Sequence, residues 1–339
     1  MENKDSKNKP NHPTYFNKSF VLPVIILTFF LIYGNSIISA SALPTNGTLP
    51  DLSGIAWVEN DTFLAVHDAK YPKESDLPRA SLLTLPSSPS GILASPLNIT
   101  WPKGETPGSD LECIARLPNT NNATQNTHSF LIAESGDNDR GSKRIFLSHL
   151  NNDSLIVTDS AEWPTNIYNI EGCAVGLANN ELLFVWAERS QGSHNTTIVW
   201  ANLFLNPLKF GSVNSSIFTI PSDQHVKVDG GFRPVSALEV DDNGNILIAS
   251  AVDPDVDTGP FSSNVWLAGH INSNQSSSSS SSPISLLEPP KRLATLDGFK
   301  IEGLATRSMN NDGPHTEMIV GTDDEDYGGV IRVLPYKVP

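Results

Sequence analysis

Between residues 51 and 334 the chain alternates apolar runs of five to eight residues with short breaks of Gly, Pro, Asn and Asp, and no stretch keeps a 3.6-residue amphipathic period. That pattern predicts strands and turns rather than helices. The strands recur as a pair: a small-residue strand, then an apolar strand that usually ends in acid. Ser53-Gly54-Ile55-Ala56 leads to Phe63–Asp68, Glu112-Cys113-Ile114-Ala115 to Phe130–Asp137, and Glu171-Gly172-Cys173-Ala174 to Leu183–Glu188. Ser236-Ala237-Leu238-Glu239 leads to Ile246–Ser250, and Lys300–Ala305 to Met318–Asp324. Positions 53, 112, 171, 236 and 302 lie 59, 59, 65 and 66 residues apart, a period that marks a repeat architecture.

Each repeat reads as four strands, a to d. The first has Gly54–Val58, Phe63–Asp68, Ser81–Leu85 and Leu97–Trp101; the fifth has only Ile301–Thr306, Glu317–Thr322 and Val330–Leu334. Four-stranded antiparallel units arranged around a ring make a β-propeller. The expected fold is therefore all-β, a propeller of five counted repeats occupying residues 43–339 as one domain. Leu43–Leu52 is the candidate to supply the missing outer strand and close the ring, and a sixth, degenerate blade stays open as an alternative. Low complexity is confined to connections, Pro118–His128 and the serine run Ser276–Ser282, which read as solvated loops.

Residues 1–42 read as a leader. Lys4, Lys7, Lys9 and Lys18 precede an apolar run from Phe20 to Tyr33, and Ala40-Ser41-Ala42 has the small-x-small form of a signal-peptide cleavage site. An uncleaved membrane anchor is the alternative, although the run is short for a span and Pro23 interrupts it. Either way residues 43–339 are expected outside the cytoplasm, secreted or on the extracellular face of the membrane. Eight Asn-x-Ser/Thr triplets in that part are candidate glycosylation sites. Without the leader's four lysines and two acids, 18 basic residues face 35 acidic ones, a net charge near −17. Such a balance repels phosphate backbones and attracts cations, which argues against nucleic-acid partners. A monomer is expected.

The two cysteines, Cys113 and Cys173, fall in the equivalent strand of neighbouring repeats, one register step apart. Opposite parity lets both thiols enter one inter-sheet interface, or lets them point apart. In an oxidising compartment a disulfide is favoured over two buried thiols.

Antiparallel topology sorts the loops into two faces. The start of strand a and the end of strand b share one face, here called the top, and the acids cluster at both places. Asp51, Asp110, Glu112, Glu171 and Glu302 open strand a; Asp68, Glu134, Asp137, Asp139, Glu188 and Asp323–Asp326 follow strand b, as do Asp253, Asp255 and Asp257. Acids at strand ends are commonly solvated turn residues. Glu112, Glu171 and Glu302 stand apart because they share one repeat position at the mouth of the innermost strand. The long insertions fall on the other face, which leaves the top as the candidate working face. His67 beside Asp68 is the one candidate general base, against the ordinary reading of a turn histidine. Lys70, Arg140, Lys143 and Arg189 lie on or near top loops, where they can meet a phosphate or carboxylate.

These residues resemble a known family. Asp110-Leu111-Glu112-Cys113-Ile114-Ala115, with Phe130–Asp137 and Arg144-Ile145-Phe146, resembles the Asp-x-Glu-Gly-Ile-Ala motif, acidic strand end and Arg-Ile pair of the phytase-like β-propellers, the family called "esterase-like activity of phytase". Phe299–Ala305 with Thr322–Gly329 is similar to its closing repeat, and the likeness covers most of residues 51–334. Cys113 stands where the motif has glycine, and the Asp-Asp-Pro-Ala signature of β-propeller phytases is absent, which argues against phytate as substrate. What the resemblance implies is calcium at a channel mouth, carried here onto Glu112, Glu171 and Glu302, with Asp68, Glu134 and Asp323 as further candidate ligands.

The expected function is an exported propeller with a calcium-dependent top-face site that hydrolyses a small anionic phosphoester or ester. Two alternatives stand beside it. One is a non-catalytic propeller that binds a surface glycan or protein. The other is a calcium-dependent lactonase, since Ser53-Gly54-Ile55-Ala56-Trp57 loosely resembles the Glu-Gly-Pro-x-Trp of that class, with serine in the place of glutamate.

Overall fold

The structure is a computed structural model that describes residues 51–85, 93–118, 128–136, 141, 143–189, 195–221, 234–252, 258–272, 282–309, 315–324 and 329–334. Residues 1–50, which contain the expected leader and most of the expected closing segment, and most of the 118–128 and serine-rich connections lie outside these residues. So do Asp137, Asp139, Arg140, Asp253, Asp255, Asp257, Glu325 and Asp326.

The described residues form strands and turns only, and no helix among them is long and apolar enough to cross a membrane. The first sheet is a meander of β1 (Gly54–Glu59), β2 (Thr62–Val66), β3 (Ala80–Thr84) and β4 (Leu93–Pro96). After the short β5 (Asn98–Thr100), the second is built from β6 (Leu111–Arg116), β7 (Ser129–Glu134), β8 (Arg144–Asn151) and β9 (Ser154–Glu162). The third comprises β10 (Ile170–Ala178), β11 (Glu181–Glu188) and β12 (Asn195–Leu205), with β13 (Leu208–Phe210) and β14 (Asn214–Thr219) both paired to β12. The fourth runs β15 (Val235–Val240), β16 (Asn245–Val252), β17 (Ser262–Ile271) and β18 (Ile284–Asp297). The fifth has three described strands, β19 (Ile301–Met309), β20 (His315–Thr322) and β21 (Ile331–Leu334).

These sheets are the blades of a five-bladed propeller. Their innermost strands, β1, β6, β10, β15 and β19, meet in cyclic order, so β19 returns to β1. The apolar side chains gather into five clusters, each filling the space between two neighbouring sheets. One of them joins Leu52, Ile55 and Phe63 of the first blade to Ala305, Ile319 and Ile331 of the fifth, and this packing closes the ring. Alternation explains the arrangement: each inner strand sends successive side chains to opposite neighbours, so every blade is buried on both faces.

One expected strand changes place. Leu97–Trp101 does not edge the first blade. Leu93–Pro96 fills that position, and Asn98–Thr100 pairs in parallel with β9 at the outer edge of the second blade. Pro96 and the short length of both pieces let the chain cross between blades there.

Cys113 and Cys173 are bridged, with Cα atoms 5.6 Å apart. Both lie in the cluster between the second and third blades, so their opposite parities do converge on one interface. Gly172, beside Cys173, is required by close approach: a Cβ there would lie 2.4 Å from the backbone nitrogen of Leu238.

Candidate functional site

A β-bulge sits at the same place in four blades. Leu111 pairs with Glu134 and Cys113 with Ala133, which leaves Glu112 as the extra residue. The same slip isolates Glu171 between Ile170 and Gly172, Ser236 between Val235 and Ala237, and Glu302 between Ile301 and Gly303. Bulges re-aim a side chain out of the regular alternation, and here they turn three carboxylates toward the ring axis. They line a cleft of about 230 Å³ with Asp68, Lys70, Asp110, Asn169, Arg189, Lys300 and Asp323. The starts of a-strands and the ends of b-strands thus share one mouth, the top face of the sequence argument.

Two of these residues carry an uncommon backbone. Asp110 and Asn169, two positions before Glu112 and Glu171, adopt the left-handed region with φ of 60° and 52°. Asp and Asn tolerate that region better than other side chains. Asp110 is pinned there: its side chain accepts a hydrogen bond from the Ser135 hydroxyl, and its carbonyl accepts one from the Ser135 amide at 3.0 Å. The conformation presents Asp110 beside Asp68 and Glu112, and one oxygen from each lies within 4.8 Å of the others. No hydrogen bond or ion pair reaches the half-buried Glu112 carboxylate from any described residue.

The remaining glutamates have counter-charges from the chain itself. Lys300, almost fully buried, places its ammonium 3.1 Å from Glu302 and 3.2 Å from Asp323. Arg189 lies 3.5 Å from Glu171, and Lys70 lies 3.6 Å from Asp110. Among the described residues Glu302 and Glu171 have a cation within ion-pair distance, and Glu112 has none.

Electrostatics agrees with that geometry. Burial first, then Glu171, Glu302, Asp110 and Asp68, hold the Glu112 carboxyl well above its ordinary range. Burial also raises Glu302 well above the usual value, although Lys300 pulls it down. Lys70 loses by burial, but Asp110, Asp68 and Glu112 outweigh this and raise it.

The other candidates from the sequence are placed elsewhere. Glu134 is fully buried and held by Arg144, whose Nη2 and Nε donate at 2.8 and 3.2 Å while its amide donates at 3.0 Å. The Ser109 amide donates to the same carboxylate at 3.1 Å, so Glu134 anchors the loop that leads into Asp110. His67 is buried outside the cleft: Nδ1 donates to the Asp51 carbonyl at 2.6 Å, and Nε2 lies 2.9 Å from the Ser81 hydroxyl. Burial lowers its pKa. Lys300 and Asn169 were not foreseen as site residues. The signal was available, since both occupy the repeat position of Asp110, two before a central glutamate.

Below the glutamates the channel closes. Ile55, Ile114, Cys173, Leu238 and Leu304, one from each blade at one repeat position, leave a void of about 10 Å³. That is room for one water at most.

No family model matches the chain, and no curated protein matches it by sequence. Solved structures do match. A thermostable family-43 glycoside hydrolase aligns with a TM-score of 0.52 at 9% identity, over 84% of this chain and 88% of that one. An exo-1,5-alpha-L-arabinanase from a bovine ruminal metagenomic library aligns with a TM-score of 0.51 at 10% identity, over 86% and 95%. At such identities the likeness is one of fold.

Proposed function

We propose that the top mouth of this propeller is a cation-dependent hydrolytic site for a small anionic ester, a phosphoester ahead of a carboxyl ester. The observation that carries the reading is the convergence of Asp68, Asp110 and Glu112 within 4.8 Å, in a cleft that also holds Lys70, Arg189 and Lys300. The donor set is all oxygen and includes a carboxylate with no partner among the described residues, which suits calcium better than a metal preferring nitrogen or sulfur. Asp68, Asp110 and Glu112 would hold the ion. When bound it would polarise the ester and activate water.

The chain's own residues supply the rest. Lys70 and Arg189 offer N–H donors to the anionic oxygens of the substrate. Glu302, whose carboxyl burial raises well above its ordinary range against the pull of Lys300, is the group at the mouth from which a proton can pass to the leaving oxygen. The motif resemblance to phytase-like propellers supports the same reading, and the Cys113–Cys173 bridge supports an exported protein.

The test is hydrolysis of aryl phosphate, aryl acetate and lactone substrates with calcium and with chelator. Calcium-dependent phosphatase activity that Glu112→Gln abolishes is the expected result. Phosphatase activity indifferent to chelator removes the reading.

A second reading is glycoside hydrolysis. Glu302, raised above its ordinary range by burial, shares the mouth with the carboxylates of Asp68 and Asp110, and glycoside cleavage uses a pair of carboxyl groups in unlike environments. Of the two structural neighbours above, one is a family-43 glycoside hydrolase and the other an exo-1,5-alpha-L-arabinanase. Aryl glycosides in the same panel separate the two, because this route needs no added cation.

A further inference from the structure

The five inner strands keep one register, and below the apolar collar that register opens into a second mouth. One position beyond the collar four blades place a buried alanine: Ala56, Ala115, Ala174 and Ala305. The fourth blade places Glu239 there instead. The next position carries Trp57, Arg116, Val175, Val240 and Thr306, and all of these line a groove of about 670 Å³ with Glu239, Leu177 and Asp242. That volume falls in the range of small-molecule sites, roughly 300–1,000 Å³.

We propose that this opposite mouth is a second binding site, for a small organic acid whose carboxylate pairs with Arg116 and whose apolar body lies against Trp57 and Leu177. Arg116 carries the first part of the argument. Its guanidinium stacks over the Trp57 ring at 4.4 Å, and no hydrogen bond or ion pair engages it from any described residue. Five N–H donors fixed on an aromatic platform match a carboxylate in geometry and charge. Leu177 carries the second, because it leaves 38% of its surface exposed in the same wall. An apolar body covering it gains burial at little polar cost.

Glu239 completes the site as a donor. The Thr306 amide and hydroxyl both donate to Oε1, at 3.2 and 3.0 Å, and no described residue bonds to Oε2. Burial pushes this carboxyl up to about 8, the Thr306 hydrogen bonds acting against it and Asp241 and Asp242 with it. At neutral pH it is uncharged and can donate from Oε2 to the ligand's carboxylate. Arg116, Asp241 and Asp242 are the other charged groups lining the groove among the described residues.

Benzoate is the probe, with benzamide as its uncharged counterpart, titrated calorimetrically against the intact protein. Saturable benzoate binding is expected, with benzamide and Arg116→Gln each weakening it by about tenfold or more. Affinity should fall as the pH passes about 8, and Glu239→Gln should keep the affinity and lose the fall. Leu177→Asp, at an exposed position, covers the case in which Arg116→Gln does not fold, and should also weaken binding. No saturable benzoate binding, equal binding of benzamide, or a benzoate affinity unchanged by the Arg116 or Leu177 variant overturns the proposal. So does a pH dependence that persists without the Glu239 carboxyl.

Discussion

The Lys300 ammonium lies 3.1 Å from Glu302 Oε1, with both side chains more than nine-tenths withdrawn from water. The pair places an internal cation at the ring axis, and a second contact to Asp323 at 3.2 Å extends it. Removing one partner of such a pair leaves a buried charge alone, which costs about 3–5 kcal/mol. Lys300→Met should therefore lower the melting temperature, most of all toward alkaline pH, where Glu302, raised above its ordinary range by burial, gives up its proton. The deficit should narrow in acid, where a protonated Glu302 needs no counter-ion. Thermal melts across pH check both parts; a deficit that is the same at every pH means that lost packing, not charge, is responsible.

Calcium should stabilise the folded chain. At about 100 times the dissociation constant the gain is near 2.7 kcal/mol. The gain should grow with pH, because the ion must displace a proton from Glu112, whose pKa burial and neighbouring acids raise. Asp110→Asn should remove most of the gain while keeping the backbone, since Asn169 takes the same left-handed conformation at the equivalent position. Glu112→Gln should melt no lower than the parent in chelator, having no ion pair to lose among the described residues. Identical melting curves with calcium and with chelator would falsify the assignment.

Glu134 was a candidate ligand by sequence, and its geometry makes a different forecast. Glu134→Gln breaks a buried pair with Arg144 that is held by several charge-assisted bonds. It should cost about 3–5 kcal/mol and leave the calcium gain intact. Loss of the calcium response without loss of stability would reverse that assignment.

The Cys113–Cys173 bridge spans a sequence separation of 60. Loop-closure entropy for that length amounts to roughly 4 kcal/mol, so the double alanine variant should melt well below the parent. Thiol titration of the parent in denaturant, without reductant, should find none. Two free thiols would show that the bridge does not form.

Glu239 gives a stability signature of its own. Its folded pKa of about 8 lies above the reference value of 4.5, so the native state retains a proton that the unfolded chain releases. The sign follows from linkage: stability is fully present below about 4.5 and declines until the pH passes about 8. Glu239→Gln should match the parent in mild acid and melt above it in mild alkali. Equal melting at both ends would mean that this carboxyl is ionised at neutral pH.

Much of the site was legible because repetition gave it coordinates. Glu112, Glu171 and Glu302 share a spacing-defined position, and any fold that closes the repeats into a ring brings that position to the axis. The bulges that aim them were not legible, since the flanking residues, as in Leu111-Glu112-Cys113-Ile114, are apolar in both phases and hide the break in alternation. Charge compensation was missed for a related reason. The repeat marks Lys300 as the counterpart of Asp110 and Asn169, but only the ring sets its ammonium between Glu302 and Asp323. Leu93–Pro96 and Asn98–Thr100 were confused because alternation identifies a strand without naming the sheet it joins. Glu239 was present in the repeat alignment as a carboxylate among alanines, but its meaning depends on the groove that only the folded ring creates.

The collar of Ile55, Ile114, Cys173, Leu238 and Leu304 has a consequence for traffic. A molecule that enters at one end of the axis must leave by the same end, so nothing can be threaded through this ring. A polymer can present only a terminus or a protruding side group to the carboxylates, and whatever binds there leaves by the way it came. Occupants of the two ends never compete for space. Any influence between them has to pass through the strands themselves, along the few residues of each inner strand that separate a bulge from the opposite rim.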